Sequence, residues 1–132
     1  MALRYGWRAP FENRGLNALH AEGFDHALID IDWRAQVEAH SLGWVCAFDA
    51  DRLVGFVNVA WDGGGHAFVV DTVIEQGHRH QGIGRGLLTM AERESRAAGC
   101  EWLHVDFEDE LGDFYFGSCG FSPTPAGLIA LR

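Results

Sequence analysis

Ala67-Phe68-Val69-Val70-Asp71-Thr72-Val73-Ile74-Glu75 and the following Arg79-His80-Gln81-Gly82-Ile83-Gly84 decide how this 132-residue chain is read. The first run is rich in β-branched and aromatic side chains, as a strand packed on both faces should be. Beyond the glycines, Ile83, Leu87, Met90, Ala91 and Ala98 recur at roughly helical spacing, with Arg85, Glu92, Arg93 and Arg96 on other faces and Gly99 placed as a stop. The glycines therefore sit where a strand hands over to a helix. A helix N-terminus offers unpaired N–H groups and a partial positive charge, and glycine removes the Cβ atoms that would hold an anion off the backbone. The segment has the makings of a phosphate cradle.

Nucleoside-triphosphate, dinucleotide and coenzyme A loops all use this physics. A Walker loop ends in Gly-Lys-Ser/Thr, but here Gly84 is followed by Arg85 and Gly86, so neither the lysine nor the metal-binding hydroxyl is placed. The dinucleotide fingerprint needs a third glycine where this chain has Leu87. The remaining pattern, Arg79-x-x-Gly82-x-Gly84, resembles the pyrophosphate loop of the GNAT superfamily of acyl-CoA-dependent N-acetyltransferases, Arg/Gln-x-x-Gly-x-Gly/Ala between a strand and a helix. The likeness continues downstream. Glu101 to Glu108 reads as the next strand, and Phe114-Tyr115 followed by Gly120-Phe121 resembles the family's Phe-Tyr-x-x-x-Gly-Phe segment. Two departures stand out. Four residues separate Tyr115 from Gly120 where the family has three, so counting back from Gly120 puts Phe116 at the tyrosine's place. Glu108 stands where the family often has an Asn that touches the pantetheine arm.

The resemblance implies an α/β (α+β) fold, a mixed central sheet flanked by helices, formed by residues 1–132 as one domain. It implies transfer of an acetyl group from acetyl-CoA to a primary amine of a small molecule or peptide, by direct attack in a ternary complex. Pyrophosphate would lie on Arg79, His80, Gln81, Gly82, Ile83, Gly84 and Arg85, with a backbone donor near Ile74 for the carbonyl oxygen and Tyr115 as the acid that protonates the thiolate. The alternative is a catalytically weak domain that binds acyl-CoA as a sensor or interaction module. The acceptor loops are expected at Pro10 to Ser41 and Trp61 to His66, where Trp33, Trp44 and Trp61 either wall a pocket or pack in the core. A homodimer is compatible with the resemblance and with the apolar Leu128 to Leu131.

Amine acetylation also needs a base. An alkylammonium of pKa ~10.4 is neutral only about one part in a few thousand at pH 7. Strand alternation puts Val69, Asp71, Val73 and Glu75 on one face and Phe68, Val70, Thr72 and Ile74 on the other. In the next strand Trp102, His104, Asp106 and Glu108 form a polar row beside Leu103, Val105 and Phe107. Acidic residues amid apolar strands are costly to bury without a partner, which makes Asp71 the candidate base. His104 and Asp106 read better as a solvated face, and Glu75 as a strand-end charge. His78 and His80 flank the glycine loop without a Cys or acidic partner at ligand spacing, so no metal is expected.

With 10 Lys+Arg against 19 Asp+Glu, the formal charge of −9 opposes binding to nucleic acid or anionic membranes and suits a cationic acceptor. Cys46, Cys100 and Cys119 are odd in number and lack C-x-x-C spacing, which points to free thiols in the cytoplasm. No secretory signal or membrane span is read. The expected elements are a strand at Leu3 to Trp7, helices at Pro10 to Glu22 and Asp30 to Ser41, and strands at Trp44 to Phe48 and Leu53 to Trp61 joined by Asp49-Ala50-Asp51-Arg52. A turn at Gly63-Gly64-Gly65, the segments already described, a further helix and a last strand near Leu128 to Leu131 complete the order.

Overall fold

In the computed structural model, which describes residues 3–132, one five-stranded sheet runs in the order β1-β2-β3-β4-β5. The elements are β1 (Leu3–Trp7), α1 (Asn13–Gly23), α2 (Trp33–His40), β2 (Ser41–Asp49), β3 (Arg52–Trp61), β4 (His66–Ile74), α3 (Ile83–Ala97) and β5 (Trp102–Val105). The first four strands pair antiparallel and β4 pairs parallel with β5. The sheet is therefore mixed, as expected. Among the described residues no helix is long and apolar enough to cross a membrane.

Helices cover both faces. Val45, Val57 and Val69 meet Ile83, Leu87 and Ala91 of α3 on one side. Leu16 and Leu19 of α1 and Trp33 and Val37 of α2 meet Phe56 and Val73 on the other. Removal of a side chain such as Leu16 or Leu87, each fully buried, from water contributes about 1.5–3 kcal/mol. Trp33 and Trp44 are core residues in this arrangement, and Trp61 packs at the edge of the α3-side core. The two first helices are tied by the buried Asn17, whose amide donates to Ile31 O at 2.9 Å and accepts from Trp33 Nε1 at 2.9 Å. At the start of β2 the chain comes so close to β1 that a Cβ on Gly43 would lie 2.1 Å from Trp7 Cζ2.

The expected turns form. Ala50, between β2 and β3, takes a left-handed φ of 53°, and Asp62 Oδ1 accepts from Gly64 N at 2.7 Å and His66 N at 3.2 Å before β4.

Five expectations are corrected. α1 begins at Asn13, leaving Pro10 outside its first turn. The strand foreseen over Glu101 to Glu108 ends at Val105, although burial keeps alternating as foreseen, with Leu103, Val105 and Phe107 inward and Trp102, His104, Asp106 and Glu108 outward. No strand forms at Leu128 to Leu131, where Leu128, Ile129 and Leu131 are exposed. Pro123 and Pro125 just before it lack ladder donors. The last helix is a 3₁₀ turn at Asp109–Leu111 and a π-helix at Asp113–Ser118.

The largest correction concerns β4. Phe56 pairs with Val73 and Asn58 with Val70, so Val57 of β3 faces both Asp71 and Thr72. This is a β-bulge, and Asp71 sits in it with φ 57°. The extra residue reverses the alternation. Val69 packs toward α3 but Val73 toward α1 and α2, so the single face predicted for Val69, Asp71 and Val73 does not exist. Left-handed geometry is tolerated by Asp, at a cost of order 1 kcal/mol.

Candidate active site

β4 and β5 pair only from His66 to Val69 and from Trp102 to Val105. Beyond Val69 the β5-facing edge of β4 is left without a ladder partner, and the strands open into a wedge. Glu75 N–H donates to Val54 O of β3 at 2.8 Å. Antiparallel alternation then directs the neighbouring Ile74 N–H away from β3, into the wedge. Ile74 is the residue near which a backbone donor is expected.

At the mouth of the wedge lies the glycine loop. His80 and Gly82 both have left-handed backbones, φ 64° and φ 80°. Gly82 is the N-cap of α3, with no side-chain cap. Gly86 N–H returns to Gly82 O at 3.1 Å, so the N–H groups of Ile83, Gly84 and Arg85 precede the first intrahelical bond. A Cβ on Gly82 would meet nothing within 4 Å, so open space lies beside the N-cap. Arg79, His80, Gln81 and Arg85 are exposed around it. Arg85 and Arg93 also line a shallow depression of about 330 Å³ with Tyr5, Gly82 and Gly86. The residues fit a polyanionic group.

Gly84 serves a different end. It is buried, and a Cβ there would lie 2.9 Å from Phe114 Cζ and 3.0 Å from Ile74 Cδ1. Its glycine lets α3 pack closely against β4 and the π-helix, while its N–H remains part of the helix terminus.

The π-helix resolves the spacing around Tyr115. Cys119 N–H reaches back five residues to Phe114 O at 2.9 Å, so the residue that exceeds the expected spacing is absorbed as a wide turn. Tyr115 consequently points inward, 5 % exposed, while Phe116 is 42 % exposed. The Tyr115 ring stacks on Phe107 with centroids 4.5 Å apart. Burial pushes its phenol above the ordinary 10.0, and the nearby Thr72 side chain opposes the rise. The hydroxyl lies on the Thr72 side of the bulge and is protonated at neutral pH.

On the opposite face of the bulge, Asp71 Oδ1 lies 3.1 Å from His20 Nε2 of α1. His20 Nδ1 is 2.8 Å from His26 Nε2, and His26 Nδ1 is 2.7 Å from Ala27 O. Sequence reasoning did not single out His20 or His26. Their only advance signal was a pair of histidines around a helix end, and nothing local shows that β4 faces it. Asp71 and Tyr115 are brought to adjacent positions of β4 from opposite sides. His104 and Asp106 stay outside this arrangement on an exposed row, His104 lying 2.7 Å from His66. Cys119 is a thiol whose pKa burial raises, which disfavours its nucleophilic form.

Glu75 and His78 do structural work beside the loop. His78 Nε2 is 3.0 Å from Asp49 Oδ2 and Nδ1 is 3.0 Å from Glu75 Oε1, with Arg52 also on Glu75. The Asp49 hydrogen bond is the main cause raising the His78 pKa above 6.5; partial burial opposes it and Glu75 adds to it. A proton held more tightly in the folded chain adds stability that is complete below 6.5 and lost as pH rises through the folded value. Thermal unfolding across that window is expected to show a falling Tm in the wild type, a decline that His78→Gln removes. Equal slopes in both proteins would refute the pairing.

A family model described as the acetyltransferase (GNAT) family matches residues 5–121. No curated protein matches the chain. Among solved structures, a GNAT-family acetyltransferase from Streptococcus pneumoniae superposes with TM-score 0.79 at 20% identity, covering 99% of this chain and 98% of that one. Glucosamine-6-phosphate N-acetyltransferase from Arabidopsis thaliana gives 0.78 at 13%, covering 98% of each. AAC(6')-Iy in complex with the bisubstrate analogue CoA-S-monomethyl-acetylneamine gives 0.78 at 14%, covering 100% and 99%. These likenesses establish the fold, and the family match across the strand, the glycine loop and the Tyr115 segment establishes descent: the chain belongs to the GNAT acetyltransferase family.

Proposed function

We propose that the chain acts as a single domain that transfers an acetyl group from acetyl-CoA to a primary amine of a small molecule or peptide, both substrates bound at once. The observation that carries this reading is the wedge itself. Free N–H groups of α3 stand at its mouth, Asp71 sits in the bulge against His20 of α1, and the buried Tyr115 lies near Thr72 beside it. In this reading the loop Arg79–Arg85 holds the coenzyme's pyrophosphate through backbone N–H groups, and Arg79 and Arg85 add charge. The Ile74 N–H is placed to receive charge that develops on the thioester oxygen. Asp71 takes the amine's proton and Tyr115 supplies one to the departing sulfur. The acidic surface, with its formal charge of −9, favours a cationic acceptor. The exposed Leu128, Ile129 and Leu131 would suit an interface with a second copy.

Calorimetry with acetyl-CoA beside ATP and NAD tests the cradle through a matched pair of variants. Asp and Asn both tolerate the left-handed backbone at position 82, so Gly82→Asp and Gly82→Asn differ mainly in charge. Gly82→Asp is expected to bind acetyl-CoA at least tenfold more weakly than Gly82→Asn, since a carboxylate at the helix terminus repels pyrophosphate. Equal affinities would remove pyrophosphate from this loop. Binding to the wild type without turnover of any amine would favour an acyl-CoA sensor, a reading in keeping with the anionic Glu108 beside the wedge.

A further inference from the structure

The chain Asp71–His20–His26–Ala27 O contains three contacts, of 3.1, 2.8 and 2.7 Å, and its hydrogen count is informative. Ala27 O can only accept, so His26 Nδ1 must donate to it. An ionised Asp71 also only accepts, so His20 Nε2 must donate there. The middle contact, between His20 Nδ1 and His26 Nε2, needs a hydrogen of its own. Three hydrogens are required, and two neutral imidazoles bring two. With every contact satisfied, the unit holds one proton beyond its neutral imidazoles, against one carboxylate.

The surroundings suit that load. The His20 ring lies 4.4 Å from the Phe24 ring and 5.1 Å from the Trp33 ring, centroid to centroid. Aromatic faces favour a cation between them. The groups facing His20 are Phe24 at the end of α1, Trp33 of α2, Asp71 of β4 and His26 of the following loop. Asp71 and His26 are the titratable ones among these contacts. Asp71 gives His20 its Oδ1, which leaves Oδ2 for an outside donor. Its side chain is 27% exposed, so an ammonium group can reach it.

We propose that Asp71, His20 and His26 form a proton-accepting relay that deprotonates an alkylammonium acceptor. This rests on the acetyltransferase reading and adds where the proton goes. An N–H bond of the ammonium, hydrogen-bonded to Asp71 Oδ2, breaks and its electron pair stays on nitrogen. In the empty relay His20 Nδ1–H donates to His26 Nε2 and His20 Nε2 is bare; the proton passes through the Asp71 carboxyl to His20 Nε2 and becomes the third hydrogen. The neutral amine forms a C–N bond at the thioester carbon and the C–S bond breaks. The second amine proton is balanced by protonation of the sulfur. The relay returns to its starting state by releasing its proton to water from His26 Nδ1, at the exposed Ala27. Asp71 touches the substrate and is the catalytic residue, whereas His20 and His26 are positioning residues that hold the proton.

The test pairs ¹⁵N NMR of the imidazole rings with pH–rate profiles on the full chain, using a panel of primary alkylamines. His20→Gln keeps a donor toward Asp71 but cannot hold a proton, and His26→Phe removes the middle contact. In the wild type, His20 and His26 are expected to titrate together with one shared midpoint that coincides with the acid limb of kcat/KM. His20→Gln is expected to lose kcat/KM about 100-fold and that limb with it, while binding acetyl-CoA unchanged. In His26→Phe the limb should move. Independent midpoints for the two rings, or a His20→Gln variant with wild-type rate and limb, would overturn the relay. A wild type that binds no acetyl-CoA, or turns over no amine, instead overturns the acetyltransferase reading beneath it and so the relay's catalytic role.

Discussion

Tyr115→Phe is expected to lower kcat for acetyl transfer by about 100-fold, the usual scale of a positioned proton donor. The dissociation constant of acetyl-CoA should change little. The separation follows from where the phenol lies. Its ring is in the core against Phe107, and phenylalanine keeps that stacking; only the hydroxyl, near Thr72 of β4, is lost. Single-turnover kinetics with bound acetyl-CoA measure the step directly. The matched substitution Phe116→Leu should leave the rate near wild type, since that ring is half exposed beside the site. If Phe116→Leu were the damaging change and Tyr115→Phe the mild one, the inward register of the π-helix would be wrong.

Gly43→Ala is expected to have the largest effect on stability. The added carbon would lie 2.1, 2.5 and 2.6 Å from three atoms of the Trp7 indole, and a rigid ring cannot yield as the end of a flexible chain does. Overpacking of this kind costs about 1–3 kcal/mol, equivalent to a Tm lower by roughly 5–15 °C for a domain of this size. The same substitution made on a Trp7→Leu background should cost far less, because the obstacle is gone. Equal losses in both backgrounds would trace the effect to the strand backbone instead of the ring.

The parts of the fold that were readable from the sequence are those with a local cause. β-branched runs made β3 and β4, glycines broke the chain at 63–65 and 82–84, and Asp106 and Glu108 marked the outer row beyond β5. The loop was readable for the same reason, since its chemistry is that of its own backbone. What escaped needed a second segment to define it. The bulge at Asp71 shows only against Val57 of β3, because Val and Thr on either side of it suit a strand in either phase. His20 acquired meaning only when α1 was laid across β4. Leu128 to Leu131 has the composition of a strand, yet composition cannot supply a neighbour to pair with. The position of Tyr115 was ambiguous as long as helix meant 3.6 residues per turn, and a π turn removes the conflict.

The bulge also makes β4 the place where the chain counts its residues. Two cores draw on this strand, and one surplus residue sets which side chain goes to which. Removing the surplus residue itself would leave Val69 and Val73 three positions apart, which plain alternation already sends to opposite cores, whereas deleting a residue elsewhere in the strand with the bulge kept would exchange the cores' contributions on one side of it. An insertion upstream would invert the earlier half in the same way. Length variation in this family member is therefore expected to accumulate in the connecting loops and in the wide turn around Tyr115, while β4 tolerates changes of residue far better than changes of number.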